Sequence, residues 1–285
     1  MSNDPPPGAV AAAVASALAE DLGPEGDLTG ALLDPAAVAR ADVVAREPGV
    51  LAGEACAREA FRVVDDAVAV DFVAHDGDRL APGDVVATIF GAMRSIVAAE
   101  RTALNFLGHL SGVATKTRAL VDAVHAVDPG VVVLDTRKTT PGLRALEKAA
   151  VRAGGGTNHR SSLSEAVLLK DNHLGVLSIT DAVARAIALW PGTRVEVECD
   201  TDAQVDEAIR AGADAVLLDN MAPERVAACV ARIRAARSDV FVEASGGITV
   251  ETAPRYAAAG VDAVSSGALT HSVEVLDLGL DLREG

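Results

Sequence analysis

From residue 131 to residue 266, short apolar runs alternate with helical patterns. This alternation constrains the fold more than any other feature of the 285-residue chain. The runs cover 131–135, 166–171, 194–198, 215–219, 240–244 and 263–266, with helical patterns around 141–153, 178–189, 202–211, 222–236 and 250–259. Continuous apolar strands joined by helices belong to right-handed βαβ crossovers in a parallel sheet buried on both faces. Six such units fit an α/β barrel or a doubly wound open sheet, and periodicity alone does not separate the two.

The pattern before about residue 110 is different. A helix is expected over 9–19, then a turn-rich EDLGPEGDLTGALL in which Asp27 or Thr29 can cap a following turn. Short strands at 41–45, 50–52 and 68–74 flank a helix over 54–64, and a helix over 94–110 follows. Its polar face carries Arg101, Asn105 and His109 at i, i+4 and i+8, a stripe that is an ordinary solvated face unless something anionic lies opposite. The opening SNDPPPG is expected to fray.

Composition narrows the function. Half the residues are apolar, only 2% are aromatic, and the formal net charge is -16. Such a chain has neither the basic surface nor the stacking platforms of a nucleic-acid binder. Cys56, Cys199 and Cys229 are odd in number, widely spaced and without metal-finger spacing, as expected of buried thiols in a reducing cytoplasm. The Ala-rich stretch 9–19 has no basic residue before it and Glu20-Asp21 directly after it, so it is not read as a signal peptide. No stretch approaches the roughly 20 apolar residues that span a bilayer. The expectation is a soluble, cytoplasmic protein with no membrane partner.

Against the acidic background, 137–170 is cationic: Arg137, Lys138, Arg144, Lys148, Arg152, Arg160 and Lys170 face only Glu147 and Glu165. A small polyanion held in a site suits such a cluster. The ends of the apolar runs agree. In order they deliver Asp135-Thr136-Arg137-Lys138, Lys170-Asp171-Asn172-His173, Glu196 and Glu198, Asp219-Asn220, Glu243-Ser245-Gly246-Gly247 and Ser265-Ser266-Gly267. Parallel α/β folds assemble their sites at the carboxyl ends of strands. Ser245-Gly246-Gly247 and Gly267-Ala268 each precede a helical pattern and offer backbone N–H groups to a phosphate. Glu198 and Asp219 could hold Mg²⁺, or could be ion-pair partners of the cationic cluster. His159 and His173 lie near that cluster without zinc spacing. The residues alone therefore lead to an α/β protein that handles a phosphorylated anion.

DTRKTTPGLRALEKAAVRAGGGTNHR, followed by LLKDNH, closely resembles the quinolinate phosphoribosyltransferase family. The resemblance continues through EDLGPEGDLT, AERTALNFLGHLSGVAT, VEVE, VLLDN, EASGGI and GALTHS. It implies an N-terminal α/β sandwich domain over 1–110, an incomplete six-stranded parallel α/β barrel over 111–271, and 272–285 packed with the first domain. It also implies a homodimer in which Arg101 reaches the partner's site. The reaction would join quinolinate to phosphoribosyl pyrophosphate, giving nicotinate mononucleotide, pyrophosphate and CO₂. Carried over motif by motif, Arg101, Arg137, His159 and Arg160 would bind the quinolinate carboxylates, and Lys138 and Lys170 would face the ribosyl pyrophosphate. Glu198 and Asp219 would hold Mg²⁺ and the ribose hydroxyls, with Lys138, Glu198 and Asp219 carrying the catalysis. Ser245, Gly246, Gly267 and His271 would surround phosphate oxygens. Two departures from the family pattern stand out: Cys199-Asp200 after VEVE, and Ser266, whose hydroxyl could join the phosphate pocket.

Two rival readings differ in substrate or in class. One is a molybdenum-transport-associated paralogue of the same fold, whose version of the LLKDNH block usually lacks the lysine found here as Lys170. The other is a noncatalytic phosphate-ligand-binding barrel, which would leave the convergence of Arg137, Lys138, Lys170, Glu198 and Asp219 without a use.

Overall fold

A computed structural model describes residues 4–283. Its elements begin with α1 (Pro7–Leu22), β1 (Val38–Ala45), β2 (Gly49–Val50), α2 (Glu54–Val64), β3 (Ala69–Phe72), β4 (Arg79–Leu80), β5 (Val85–Ala92) and α3 (Met93–His125). The alternating part follows as β6 (Val132–Leu134), α4 (Arg144–Ala153), β7 (Val167–Leu169), α5 (Asp171–Leu174), α6 (Ile179–Leu189) and β8 (Val195–Cys199). Then come α7 (Asp202–Ala211), β9 (Ala215–Asp219), α8 (Pro223–Ala236), β10 (Phe241–Ser245), α9 (Ala253–Ala258), β11 (Ala263–Ser265), α10 (Ala268–His271) and β12 (Leu278–Leu282). The chain divides into two compact units. The first holds the described residues up to Arg118, Lys138–Gly155 and those from Ala268 onward, and the second holds Ala119–Arg137 and Gly156–Gly267.

The first unit is an antiparallel sheet in the order β12-β1-β5-β3, with helices on it. Periodicity explains the helices: Val10, Val14 and Leu18 of α1, and Cys56, Ala57, Ala60 and Phe61 of α2, form single apolar faces that are buried. They share one core with Leu51, Ile89, Ile96, Leu107 and Leu146. β12, which pairs antiparallel with β1 from Ala41–Leu282 to Ala45–Leu278, had no counterpart in the strand pattern. The expected fraying of the first residues does not extend to Asp4 and Pro5. Pro5 is buried, and Arg152 donates to the Asp4 carbonyl at 3.2 Å. Ser2 and Asn3 lie outside the described residues.

Helix α3 runs 33 residues, well past the end expected near residue 110. Gly112 looks like a stop but is a close-approach glycine. A Cβ there would collide with the Glu274 carbonyl, so the helix continues and the glycine lets another segment lie against it.

The second unit holds a six-stranded sheet in the order β6-β11-β10-β9-β8-β7, each recorded pairing parallel. This order decides between the two topologies left open by periodicity. A doubly wound sheet reverses direction at a switch point. Here β7 to β11 lie side by side in sequence order and β6 pairs with the last of them, which is a ring open at one seam. On the free edge of β6, among the described residues, an isolated bridge joins Leu134 to Thr157. The incomplete six-stranded barrel is therefore present. The strands are buried nearly end to end, as in Val195, Val197, Val216, Leu218, Val242, Ala244 and Val264.

Candidate active site

Register brings the functional side chains together. Residues paired in a parallel sheet share a face, and side chains alternate along each strand. The pairs Leu168–Glu196, Glu198–Leu217, Glu243–Leu217 and Ser245–Asp219 therefore set Lys170, Glu196, Glu198, Asp219, Glu243 and Ser245 on one face. They form two depths. Glu196 and Glu243, each two residues before Glu198 and Ser245, are 4% and 1% exposed, while Glu198, Asp219 and Ser245 toward the strand ends are half-buried.

The deep level is built around His159. Asp135, fully buried at the end of β6, accepts from the His159 backbone N–H at 2.8 Å and from Asn158 Nδ2 at 2.6 Å. The His159 ring lies with Nε2 3.1 Å from Glu196 Oε2 and 3.6 Å from Glu243 Oε2. Its Nδ1 accepts the Arg160 backbone N–H at 2.8 Å. With the Nδ1 lone pair engaged, the ring proton sits on Nε2 and points at the carboxylates. Burial, and next the charge of Glu196, push the Glu243 carboxyl up to about 7. The other oxygen of Glu196, Oε1, is buried without a hydrogen-bond partner among the described residues.

At the rim the positive charge gathers. Arg160 donates to the Ala166 carbonyl at 2.9 Å, while its Nε is buried with no such partner. Burial, and next the charge of Arg137, push its guanidinium below the ordinary range. Two half-buried arginines that repel one another suit a doubly charged anion, which relieves both the desolvation and the repulsion. Lys170 forms an ion pair with Glu198, so the ion-pair reading of Glu198 holds in this state. Asp219 accepts from Asn220 Nδ2 at 2.5 Å, and Asn220, at φ 52°, donates its backbone N–H to the Ser245 carbonyl.

The loop after β10 has no room for a side chain at Gly246, where φ is 94° and a Cβ would strike Asn220; Gly247 is also left-handed, at φ 61°. The following helix starts only at Ala253, so any phosphate donors here are the loop's own amides and not a helix terminus. Gly267 directly precedes α10. Ser266 is not available to a phosphate: it is buried, and its hydroxyl donates to the Ile248 carbonyl at 3.2 Å. His173 caps locally, its Nδ1 accepting the Lys170 backbone N–H at 3.0 Å.

Arg101, Lys138 and His271 belong to the first unit. Arg101, Asn105 and Lys138 are exposed. His109, the third member of the stripe, instead turns to the fully buried Glu147, with Nε2 2.8 Å from Oε1. Glu147 Oε2 accepts the Thr140 N–H at 3.1 Å, and Thr270 donates to the Lys138 carbonyl at 2.7 Å, so the segment carrying Lys138 is tethered at two points. His271 Nδ1 is 2.7 Å from the Ser272 hydroxyl.

Comparison with known proteins shows the family. Residues 27–111 match the quinolinate phosphoribosyl transferase N-terminal domain, and residues 113–281 match its C-terminal domain. The chain belongs to the quinolinate phosphoribosyltransferase family. It is 42% identical over 265 residues to a probable carboxylating nicotinate-nucleotide pyrophosphorylase of Bacillus subtilis, covering 92% of this chain and 90% of that one. It is 43% identical over 273 residues to the Mycobacterium leprae carboxylating nicotinate-nucleotide pyrophosphorylase, covering 93% and 94%. The solved nicotinate-nucleotide pyrophosphorylase of Francisella tularensis superposes with a TM-score of 0.92 at 37% identity, covering 99% of this chain and 98% of that one.

In a family member, Glu196 and Glu243 are the residues that sequence reasoning passed over. Both were visible at strand ends, and the i, i+2 spacing of VEVE places Glu196 on the same face as Glu198. The meeting of Glu196 with Glu243 and His159, however, depends on tertiary pairing. No helix among the described residues is long and apolar enough to cross a membrane. The three cysteines are buried free thiols, and burial pushes Cys56 and Cys199 up to about 12.

Proposed function

We propose that the chain transfers the ribosyl phosphate of phosphoribosyl pyrophosphate to the ring nitrogen of quinolinate, yielding nicotinate mononucleotide, pyrophosphate and CO₂ in NAD biosynthesis. The observation that carries this reading is the Arg137–Arg160 pair, half-buried and mutually repelling, on the unit whose strand ends also carry Lys170, Glu198 and Asp219. Planar guanidinium forks match the carboxylates of a rigid diacid in a way lysine does not. Arg137, Arg160 and Arg101 are assigned to the quinolinate carboxylates, with His159 beside them. Lys138 and Lys170 are assigned to the pyrophosphate, and Ser245, Gly246, Gly267 and His271 to phosphate oxygens.

Departure of pyrophosphate leaves positive charge on the ribose and negative charge on the leaving group. The carboxylates of Glu198 and Asp219 tolerate the first, and the lysines meet the second. Release of Lys170 from Glu198 toward an incoming phosphate would exchange one ion pair for another. Once the pyridine nitrogen carries the ribosyl group it is cationic and stabilises the electron pair that stays on the adjacent ring carbon as CO₂ departs; a proton from solvent then takes that pair, completing the nicotinate ring. Hard oxygen donors at neighbouring strand ends fit Mg²⁺, and Glu198 and Asp219 would hold it. When bound, that ion supplies electrostatic stabilisation of phosphate oxygens. The protein is further proposed to be a cytoplasmic homodimer in which Arg101 serves the partner's site.

The test uses quinolinate labelled in the carboxyl group at ring position 2. Labelled CO₂ should appear only when both phosphoribosyl pyrophosphate and Mg²⁺ are supplied. Transfer to another acceptor with no CO₂ would favour the molybdenum-associated paralogue, and no transfer at all a binding barrel. Lys170 counts against the first of these rivals, because that group's version of the LLKDNH block usually lacks a lysine there.

A further inference from the structure

We infer that Glu196 and Glu243 are positioning residues, which act through the His159 ring to hold Arg160 in place for the substrate diacid. The inference rests on the quinolinate reading above and extends it to two residues that touch no substrate in that reading.

The geometry runs in one line from the sheet interior to the rim. The two carboxylates face His159 Nε2 at 3.1 and 3.6 Å, and His159 Nδ1 accepts the backbone N–H of Arg160 at 2.8 Å. Asp135 takes the His159 backbone N–H at 2.8 Å. The ring and the backbone of residue 159 are thus both pinned to the sheet, and the point from which the Arg160 side chain starts is fixed at its own amide. Glu196 alone lies within hydrogen-bond distance of Nε2, and that one acceptor would suffice to hold a neutral imidazole. A second buried acid adds desolvation cost and like-charge repulsion, which a purely structural packing position would shed by carrying an apolar residue. Glu196 also places negative charge behind the rim, which favours the Arg160 guanidinium against the cost of burial and the repulsion of Arg137. An arginine held by its backbone is prepared to grip a planar carboxylate before the substrate arrives.

The same three side chains are close enough together to ligate a metal ion. The hydrogen bond into Nδ1 argues against it. It puts the ring proton on Nε2, the atom a metal would need, whereas a metal-ligating histidine normally donates from its second nitrogen.

The experiment measures quinolinate binding in the absence of phosphoribosyl pyrophosphate, and both KM values, for Glu196→Ala, Glu196→Gln and Glu243→Gln, with thermal melts confirming folding. Loss of the His159 acceptor in Glu196→Ala should weaken quinolinate binding about tenfold or more, the worth of a hydrogen bond to a charged group. The KM for phosphoribosyl pyrophosphate should move by no more than about twofold. Glu196→Gln, which keeps an acceptor for Nε2–H, should recover most of the affinity, and Glu243→Gln should show a smaller loss of the same selectivity. Unchanged quinolinate binding in folded Glu196→Ala would overturn the inference while leaving the proposed reaction intact. Equal losses for both substrates would reduce the acids to structural members, and a stoichiometric metal ion in the wild-type protein that is lost in Glu196→Ala and in Glu243→Gln would replace this role with ligation. A wild-type protein that binds no quinolinate at all removes both the reaction and this inference.

Discussion

Replacing Glu243 by glutamine should raise stability in a pH-dependent way. The carboxyl, ordinarily near 4.5, is pushed up to about 7 by burial and then by Glu196, with His159, the Ser265 hydroxyl and Arg194 opposing. An acid whose folded value lies above its unfolded value favours folding in its protonated form. That contribution is complete below about pH 4.5 and is lost as pH rises through about 7. The difference amounts to about 3 kcal/mol at full effect, since each unit is worth about 1.4 kcal/mol. Glutamine has the shape of the neutral acid and does not ionise, so Glu243→Gln escapes the loss. Melting midpoints of wild type and variant should nearly coincide near pH 5 and separate between pH 5 and 8, the variant ending roughly 5–10 °C higher. The assay is a pair of calorimetric series across that range in buffers of constant ionic strength. A difference that stays flat with pH, or a variant that becomes less stable as pH rises, would show that Glu243 is already ionised in the folded barrel and refute the desolvation argument.

Lys138→Ala should lower turnover about 10²-fold or more if its charge meets the leaving pyrophosphate, and near-normal turnover would remove it from that role. Mixing inactive Arg101→Ala with inactive Lys138→Ala subunits should restore part of the activity after subunit exchange, because one composite site is then intact; no rescue after verified exchange would count against a shared site. Gly246→Ala should destabilise the protein by about 1–3 kcal/mol, since it combines a left-handed backbone at φ 94° with a Cβ driven into Asn220, and denaturant titration would measure it. An unaffected midpoint would mean that the Asn220 turn moves aside freely.

Much of the barrel was legible because its signal is local. Each expected strand end falls within about two residues of the observed one, since continuous apolar runs bounded by turns are set by the residues themselves. The helices over 54–64 and 202–211 were legible for the same reason, one apolar face at helical spacing with Thr201 capping the second. The extension of α3 to His125 was not, because Gly112 mimics a stop and only the nearby Glu274 shows why it is there. Helix α5 covers four residues, too few for any periodicity, and β12 is five residues whose strand character comes from pairing with β1. Among site residues, Arg137, Arg160, Lys170, Glu198 and Asp219 could be picked out by charge and position. What charge and position did not convey is the environment of each: that Lys170 and Glu198 pair, that Ser266 turns inward to Ile248, and that His159 leans on two buried acids.

The central claim is that the strand-end arginines grip both carboxylates of quinolinate, and a crystal structure with quinolinate bound tests it most directly. Expected is the diacid within hydrogen-bonding distance of the Arg137 and Arg160 guanidinium groups, on the sheet face that carries Glu198 and Asp219. Quinolinate bound elsewhere, with neither arginine touching a carboxylate, would contradict it.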